Sequence, residues 1–330
     1  MTRYVDKVVR QCCLAAVLVC PALAATVSAQ QQPDPAVAKP AGPTAGPTVQ
    51  LSLIVTDAKN KSVDAINKSD IRLVEDKVEQ TILNVEPDQR PVDCGIVIDA
   101  SGSMRQLIGS TIEAAGMIVV NRRATDEIFI ERFVSSDKIQ KLQDFTSDEQ
   151  SLINALKSVR IEGGQSAVID AIYTATQYTA DHNRNADRRK ALVLFTDGED
   201  RNSLYSREKL LALLQQEHVQ IFIVGLIIDL DKDAGFVRLS PREKAQKLLN
   251  TVAEQTGGRV FYPKDKPELI DAIVQIIHDL RGQFRLTYQS SNDSKKDLHE
   301  VEVKLTSSPT GEKRNAIVRR SYQVEKRTSQ

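Results

Sequence analysis

Three short stretches of the sequence carry oxygen-bearing side chains in a pattern that could bind a metal ion. Asp99, Ser101 and Ser103 alternate in the first stretch, Ser166 ends a Gly-Gly-Gln-Ser stretch, and Asp197 is the middle residue of Thr-Asp-Gly. Alternate residues of an extended turn project to the same side, so the first three side chains can converge on one point. Together the five residues offer two carboxylates and three hydroxyls, all of them hard oxygen ligands.

This ligand set predicts a hard divalent cation, Mg²⁺ or Mn²⁺, as the cofactor. No Cys or His belongs to the set, which disfavours zinc. Two aspartates only balance the charge of the ion, and hydroxyls donate weakly, so the cation would favour an anionic sixth ligand. A carboxylate from an Asp or Glu of a partner protein has this chemistry. Of the neighbouring acidic residues, Asp170 is expected to be structural. Glu199 and Asp200 are expected to face solvent beside the site, with a tuning role as the alternative.

An enzymatic role for Asp99 is the alternative interpretation, as a metal-dependent hydrolase or phosphotransferase in which this carboxylate attacks phosphorus. Such phosphotransferases usually carry a second carboxylate two residues further on, where this chain has Ser101. Residues 164–168 resemble the Gly-x-Ser-x-Gly elbow that carries the nucleophile of serine hydrolases, but Val168 stands where that motif has its last small residue. We therefore expect no catalytic residues; a structural module with a vestigial site is a further alternative. The histidines lie away from the three stretches, at His182, His218, His278 and His299.

Apolar strands that alternate with amphipathic helices predict an α/β domain at residues 91–282. The predicted strands are 95–98, 128–133, 191–195 and 219–226, and the last two predicted helices are 241–256 and 267–280. Strands that are apolar throughout indicate a doubly wound, mainly parallel sheet with helices on both faces. Binding sites of such sheets lie at the carboxyl ends of the strands. The stretches of Asp99 and Asp197 each follow a predicted strand, and the stretch of Ser166 precedes a predicted helix, so all three are expected at the carboxyl ends of the strands.

Strand patterns of period two return on both sides of this domain. Residues 49–90 contain three predicted strands, at 49–57, 71–75 and 78–85. Residues 283–330 contain three more, at 284–288, at 301–305 and, as the last, at 317–324. Segments of about forty residues are too short to bury a core alone. We therefore expect the N-terminal and C-terminal segments to meet in one small β unit beside the α/β domain.

The beginning of the chain has the layout of an export signal. Residues 1–29 combine a basic start, an apolar run and small residues at 27–29, which is typical of a signal peptide. Residues 30–48 are rich in Pro, Ala and Gly and predict an extended linker. Cleavage after residue 29 would leave Cys94 as the single cysteine and would exclude a disulfide framework. The protein is therefore expected in the periplasm or outside the cell.

The charge balance argues against a nucleic-acid-binding protein, and the length of the later apolar runs argues against a membrane-spanning segment. Lys plus Arg and Asp plus Glu both number 44, and Trp is absent, which disfavours a nucleic-acid partner. The most apolar later stretch, 221–228, is too short to span a membrane and is better explained as a buried strand.

The order and placement of the three stretches resemble the metal-ion-dependent adhesion site of von Willebrand factor type A domains. The resemblance covers residues 92–281, and the flanking strands resemble those of a group of secreted bacterial proteins with this domain. It implies a doubly wound fold of the same type. It also implies an adhesion or interaction module rather than an enzyme, with an acidic residue of a partner completing the coordination of the ion.

The resemblance assigns a role to each residue of the site. Asp99 and Asp197 would support the ion, often with one of them acting through water, and Ser101 and Ser103 would coordinate it directly. The family usually has a threonine in the middle loop, where this chain has Ser166. Serine keeps the hydroxyl and loses a methyl, so a slightly looser loop is expected. In some relatives the final helix, here residues 266–280, shifts when the ion changes ligand.

Overall fold

The computed structural model describes residues 46–184, 186–228, 230, 239–291, 297–306 and 311–323. The predicted signal peptide at 1–29 lies outside the described residues, as does the predicted linker at 30–48 apart from its last three positions. Among the described helices, none combines the length and the apolar character needed to cross a membrane.

Strands and helices alternate through the middle of the chain, and strands dominate its two ends. The described strands are β1 (Thr48–Asp57), β2 (Ile71–Glu75), β3 (Val78–Gln80), β4 (Ile82–Pro87), β5 (Val92–Asp99), β6 (Glu127–Phe133), β7 (Ile139–Thr146), β8 (Arg189–Thr196), β9 (Val219–Gly225), β10 (Val260–Phe261), β11 (Phe284–Gln289), β12 (Leu298–Leu305), β13 (Arg314–Ile317) and β14 (Ser321–Gln323). The described α-helices are α1 (Ile108–Val120), α2 (Glu149–Ser158), α3 (Val168–Asp181), α4 (Arg207–Gln216), α5 (Pro241–Thr256) and α6 (Lys266–Arg281).

The central sheet has the strand order β10-β9-β8-β5-β6-β7, and its neighbouring strands are parallel except for β6 with β7. Every residue of β5 is buried, because helices cover both faces of the sheet. Helices α1, α2 and α6 pack on one face, and α3, α4 and α5 pack on the other. This arrangement confirms the predicted doubly wound α/β fold.

Strand β7 is an edge strand that the sequence pattern does not predict. Its apolar residues Ile139, Leu142 and Phe145 are spaced by three positions rather than two, and none of its residues is fully buried. The pairing with β6 is irregular, with register shifts on both sides of Ile130. An irregular, half-exposed strand leaves no period-two signal in the sequence.

The strands at the two ends of the chain form two antiparallel sheets, with orders β13-β1-β11-β4 and β14-β12-β2-β3. Each sheet takes strands from both ends, which confirms the small β unit expected from the flanking segments. One hydrophobic cluster lies within this unit, and its members Leu53, Leu73 and Leu286 are at most 1% exposed. The exact domain boundaries at residues 90 and 282 stay predictions.

Two of the predicted flanking strands are each divided in the structure, so these predictions are wrong in detail. The predicted strand 78–85 breaks at Thr81, because β3 pairs with β2 in one sheet and β4 pairs with β11 in the other. The last predicted strand is likewise divided into β13 and β14, which belong to different sheets. Gln80 and Ile82 are both buried on either side of exposed Thr81, so the alternation continues across the break and conceals it.

Candidate metal centre

The parallel pairing of β5 with β8 brings two of the three predicted stretches to one edge of the central sheet. Asp99 at the end of β5 lies level with Thr196 at the end of β8. The loop that follows Asp197 turns at Gly198, whose φ of +77° lies in the left-handed region. A Cβ atom there would lie 2.9 Å from the Leu249 side chain, so glycine lets this loop fold back against α5.

Asp99 is fully buried, and both of its carboxylate oxygens accept hydrogen bonds. Oδ1 accepts from the backbone N–H of Ser101 at 3.0 Å, and Oδ2 accepts from the hydroxyl of Thr196 at 2.8 Å. Burial, and secondly the negative charge of Asp197, raise the pKa of Asp99 to about 6. These contacts fix the orientation of the carboxylate at the edge of the sheet.

Asp197 is also buried, but its two oxygens differ. Oδ1 accepts a hydrogen bond from the backbone N–H of Glu199 at 2.9 Å. Oδ2 is buried and has no hydrogen-bond partner among the described residues. A buried carboxylate oxygen without a partner is energetically costly, and a cation is one group that satisfies it. Asp197 Oδ2 is therefore the atom of the site that most favours a bound cation.

The two serines of the first stretch face each other. Their Oγ atoms lie 3.1 Å apart. The short helical turn that follows Ser101 and contains Ser103, Gly102–Gln106, is anchored by the fully buried side chain of Met104. Capping of the first helical turn is the ordinary role for a serine at the position of Ser101, but its side chain makes no capping hydrogen bond. The hydroxyls of Ser101 and Ser103 therefore remain available at the same edge as Asp99.

Ser166 lies in a loop that is hydrogen-bonded through its backbone to the loop carrying Asp197. It is 5% exposed, and its backbone carbonyl accepts hydrogen bonds from the N–H groups of Arg201 at 2.8 Å and Asn202 at 3.2 Å. These bonds join the middle loop to the loop that carries Asp197. Within the described part of the chain, the Ser166 hydroxyl makes no hydrogen bond to the other four predicted ligands, so its membership in the site stays a prediction.

Acidic residues around the site hold its loops in place. Asp170 accepts hydrogen bonds from the backbone N–H groups of Leu204 and Tyr205, both at 2.8 Å, which agrees with the structural role predicted for it. Asp200 Oδ1 accepts from the backbone N–H of Ile169 at 3.1 Å, at the start of α3. The expectation that Asp200 only faces solvent is therefore wrong, because its carboxylate caps a helix.

Glu199 is also engaged rather than free in solvent. Its side chain is 18% exposed and pairs with Arg201 at 2.5 Å between Oε2 and Nη2. The expectation that this carboxylate faces solvent is therefore wrong as well, since the ion pair forms within its own loop.

Thr196 is a residue of the site to which the sequence alone gives no separate role. Its hydroxyl donates to Asp99 and accepts from the backbone N–H of Gly198 at 3.0 Å. It thereby links the ends of β5 and β8. The signal in the sequence is its place before Asp197 in Thr-Asp-Gly, at the end of an apolar strand.

Two other groups of potential ligand atoms occur among the described residues: Glu75 with Asp76 and His299, and Asp93 with Glu127 and His182. Asp93 already contacts Arg188 and Lys190, each at 2.6 Å, so its charge is compensated. The first group lies in the β unit, where Glu75 accepts hydrogen bonds from Ser290 and Tyr322. Neither group lies at the carboxyl edge of the central sheet.

Several solved structures are similar to this chain at low sequence identity. An aerotolerance-related membrane protein from Bacteroides fragilis is 19% identical, with 57% of this chain and 98% of that chain covered and a TM-score of 0.42. A von Willebrand factor type A protein from Catenulispora acidiphila is 12% identical, with 86% and 74% covered and a TM-score of 0.47. Proximal thread matrix protein 1 from the mussel byssus, with a zinc-occupied MIDAS motif, is 19% identical, with 64% and 50% covered and a TM-score of 0.47.

Comparison with curated proteins gave no match. The sequence model of the von Willebrand factor type A domain matches residues 93–276, which is more than half of the chain. The matched segment contains both strands that end at the candidate metal centre and all of the loops that line it. The chain therefore belongs to the von Willebrand factor type A domain family.

Proposed function

We propose that this chain binds partner proteins through a divalent cation held by Asp99, Ser101, Ser103, Ser166 and Asp197. Domains of this family generally act as interaction modules rather than enzymes. The observation that carries the proposal is the buried, unpartnered Oδ2 atom of Asp197. It lies at the edge of the sheet where the Asp99 carboxylate ends β5 and two serine hydroxyls face each other.

The donor set suits a hard cation, Mg²⁺ or Mn²⁺, because all of its donor atoms are oxygens. Asp99 and Asp197 place two negative charges in buried surroundings, and the second charge contributes to the raised pKa of the first. A divalent cation would offset this repulsion. When bound, it would supply an electrophilic coordination position for an Asp or Glu carboxylate of the partner.

Exposed apolar side chains on the loops at the same edge support a protein partner. Leu204, in the loop between β8 and α4, is 84% exposed, and Ile228 after β9 is 43% exposed. Leu239, just before α5, is 45% exposed. Apolar side chains around a polar anchor are typical of protein interaction sites. A partner would thus combine an acidic anchor residue with apolar neighbours.

Export is part of the proposal and rests on the sequence of residues 1–29 alone. Its basic start, apolar run and small residues fit a signal peptide, which leads to the periplasm or the outside of the cell.

Titration calorimetry of the purified protein with MgCl₂ and MnCl₂ tests the metal centre. The wild-type protein should bind with measurable heat and gain thermal stability. Asp99→Ala and Asp197→Asn should each weaken binding at least tenfold, because each removes one of two negative charges. Asp64→Asn is the matched control, since the Asp64 side chain is 80% exposed in the β unit. It should bind the ions like the wild type.

Absence of heat and of a thermal shift in the wild-type protein would overturn the metal centre. A pull-down from the native envelope with and without chelator then tests the partner. Capture of the same proteins in equal amounts in both conditions would contradict cation-mediated binding. Turnover of phosphate or peptide substrates that Asp99→Ala abolishes would instead support the enzymatic alternative.

A further inference from the structure

A second candidate site lies at the opposite edge of the central sheet. A cavity of about 480 Å³ opens there between β1 of the β unit and the first residues of β8 and β9. Thr48, Gln50 and Ser52 form one wall, on the face of β1 that points away from its buried residues. The cavity and the metal centre lie at opposite ends of strand β8, whose length is roughly 23 Å at the usual rise per residue of a strand. We call this cavity the basic cleft.

The lining of the basic cleft carries an excess of positive charge. One acidic residue, Glu217, lines it together with one histidine, His218. Its six basic residues are Arg90, Arg184, Arg188, Arg189, Lys190 and Arg319. A cavity of this volume lies in the range typical of small-molecule sites.

Four of these basic residues have carboxylate partners that do not line the cleft. Arg90 contacts Asp88 at 2.6 Å, and Arg188 and Lys190 both contact Asp93 at 2.6 Å. The Asp88 and Asp93 side chains are fully buried behind the wall. Arg184 pairs at 2.5 Å with Asp181, whose side chain is 69% exposed, and also lies 3.6 Å from Glu217, which does line the cleft.

Arg319 has no carboxylate partner among the described residues. It is 8% exposed, and its guanidinium donates to the backbone carbonyls of Ser321 at 2.6 Å and Leu214 at 3.1 Å, and to Nδ1 of His218 at 2.6 Å. Burial lowers the pKa of Arg319 to about 10, which still leaves it charged at neutral pH. A buried charge without a counter-ion is costly, so an anion in the cleft would stabilise it.

Arg189 is the second incompletely compensated charge. It is 7% exposed, and its Nη2 atom donates to the backbone carbonyl of Leu280. Its Nε atom lies 3.9 Å from Asp88, beyond hydrogen-bonding distance, and has no other partner among the described residues. Asp88 also serves Arg90, so one buried carboxylate faces two guanidinium groups. Guanidinium groups bind phosphate and sulfate oxygens with two parallel hydrogen bonds, which makes arginine the usual residue for such anions.

We infer that the basic cleft is a binding site for a small, multiply charged oxyanion, such as a phosphate or sulfate ester of a polar small molecule. Arg319 and Arg189 supply the incompletely compensated positive charge. Arg184 supplies a solvent-accessible guanidinium group at the rim. The hydroxyl and amide groups of Thr48, Gln50 and Ser52 face the uncharged part of the ligand. The site is independent of the candidate metal centre.

Calorimetry with sodium pyrophosphate, phosphate and sulfate tests the basic cleft, on the whole protein in EDTA at matched ionic strength. We expect saturable binding of at least one of these probes, and their ranking separates phosphate from sulfate chemistry. Arg184→Gln and Arg319→Gln should each weaken binding roughly tenfold through loss of a charge-assisted hydrogen bond. Arg320→Gln is the control, since Arg320 pairs with Glu254 and its side chain is 62% exposed outside the cleft. It should leave binding unchanged.

Two results would overturn the inference: no saturable binding of any probe by the wild-type protein, or wild-type affinity in Arg184→Gln. Arg319 also holds the end of α4, so Arg319→Gln is interpreted only if its circular dichroism matches that of the wild type. If Arg319→Gln fails to fold, Arg184→Gln decides the question alone, because Arg184 lies on the surface at the end of α3 and its side chain is 55% exposed.

Discussion

At the scale of single residues, the two aspartates of the metal centre differ in what their oxygens do. Asp99 uses both oxygens to accept hydrogen bonds from protein groups, whereas one buried oxygen of Asp197 has no partner among the residues that the structure describes. The spacing of Asp99, Ser101 and Ser103 predicts that these side chains share an edge. It does not predict the asymmetry, which depends on the hydroxyl of Thr196 and on a backbone N–H group.

Thr196 gives a direct test of this hydrogen-bond network. Thr196→Val keeps the shape of the side chain but leaves Asp99 Oδ2 without its donor and the Gly198 N–H without its acceptor. We expect a loss of about 1–3 kcal/mol in the free energy of unfolding and weaker Mn²⁺ binding. Thr196→Ser retains the hydroxyl and should stay within about 1 kcal/mol of the wild type. Chemical denaturation and calorimetry measure both effects, and equal stability of the two variants would contradict the role of the hydroxyl.

Glu131 makes the stability depend on pH. This residue of β6 is 3% exposed, and its Oε1 atom has no hydrogen-bond partner in the part of the chain that the structure describes. Burial raises its pKa to about 8. Between the unfolded value of 4.5 and about 8, the folded state holds a proton that the unfolded chain has lost. The contribution of Glu131 to stability is therefore greatest below this window and falls by about 1.4 kcal/mol per pH unit as the pH rises through it.

Glu131→Gln should remove most of this dependence and raise the free energy of unfolding at pH 8. Urea denaturation between pH 5 and 9 measures the slope. Glu113→Gln, at a side chain that is 63% exposed on α1, is the control and should keep the slope of the wild type. Parallel pH profiles for the wild type and Glu131→Gln would contradict the assignment.

At the scale of elements, the sequence predicts best where burial is complete on both faces. Strands β5, β8 and β9 are apolar throughout, and helices cover them on both sides. Strand β7 escapes prediction because its half-exposed edge position and irregular pairing remove the period of two. The breaks within the flanking strands are also not predictable from the sequence, because long-range strand pairing determines them and local alternation does not. The backbone bonds that join the loop of Ser166 to the loop of Asp197 are also not revealed by any sequence pattern.

Helix α6 is fastened to the rest of the molecule by a buried ion pair. Arg259 donates to Asp279 at 2.7 Å and to the backbone carbonyl of Asn60, in the loop after β1, at 2.5 Å. Asp279→Asn would leave the Arg259 charge buried without a counter-ion. We expect a loss of about 3 kcal/mol in the free energy of unfolding. Thermal and urea denaturation measure it, with Asp271→Asn on the exposed face of α6 as the control; equal losses in both variants would contradict the buried pair.

At the scale of the whole molecule, the two candidate sites occupy opposite edges of one sheet. Strand β8 begins with Arg189 and Lys190 at the basic cleft and ends with Thr196 at the metal centre. The β unit contributes a wall to the cleft but no residue to the metal centre. The flanking strands thus add a surface that residues 91–282 would lack alone.

Deletion of residues 283–330 tests the predicted division into domains. It removes β11 and β13, the two strands that pair with β1. We expect backbone amides of β1 and β4 to lose protection from hydrogen exchange, whereas amides of β5 and β8 keep theirs. Mass spectrometry of exchanged peptides measures this. Retained protection in β1 would show that the N-terminal segment folds by itself and would contradict the shared β unit.

The position of β1 between two C-terminal strands also governs when the protein can finish folding. Thr48 pairs with Gln289, and Ile54 pairs with Ile317, so the ladders of β1 close over the entire α/β domain. Closure over such long loops is slow, and the β unit is therefore the last part to assemble. A chain that crossed a membrane with its amino end first would emerge with β1 unpaired, and the strand would wait for its neighbours until almost the whole polypeptide had followed.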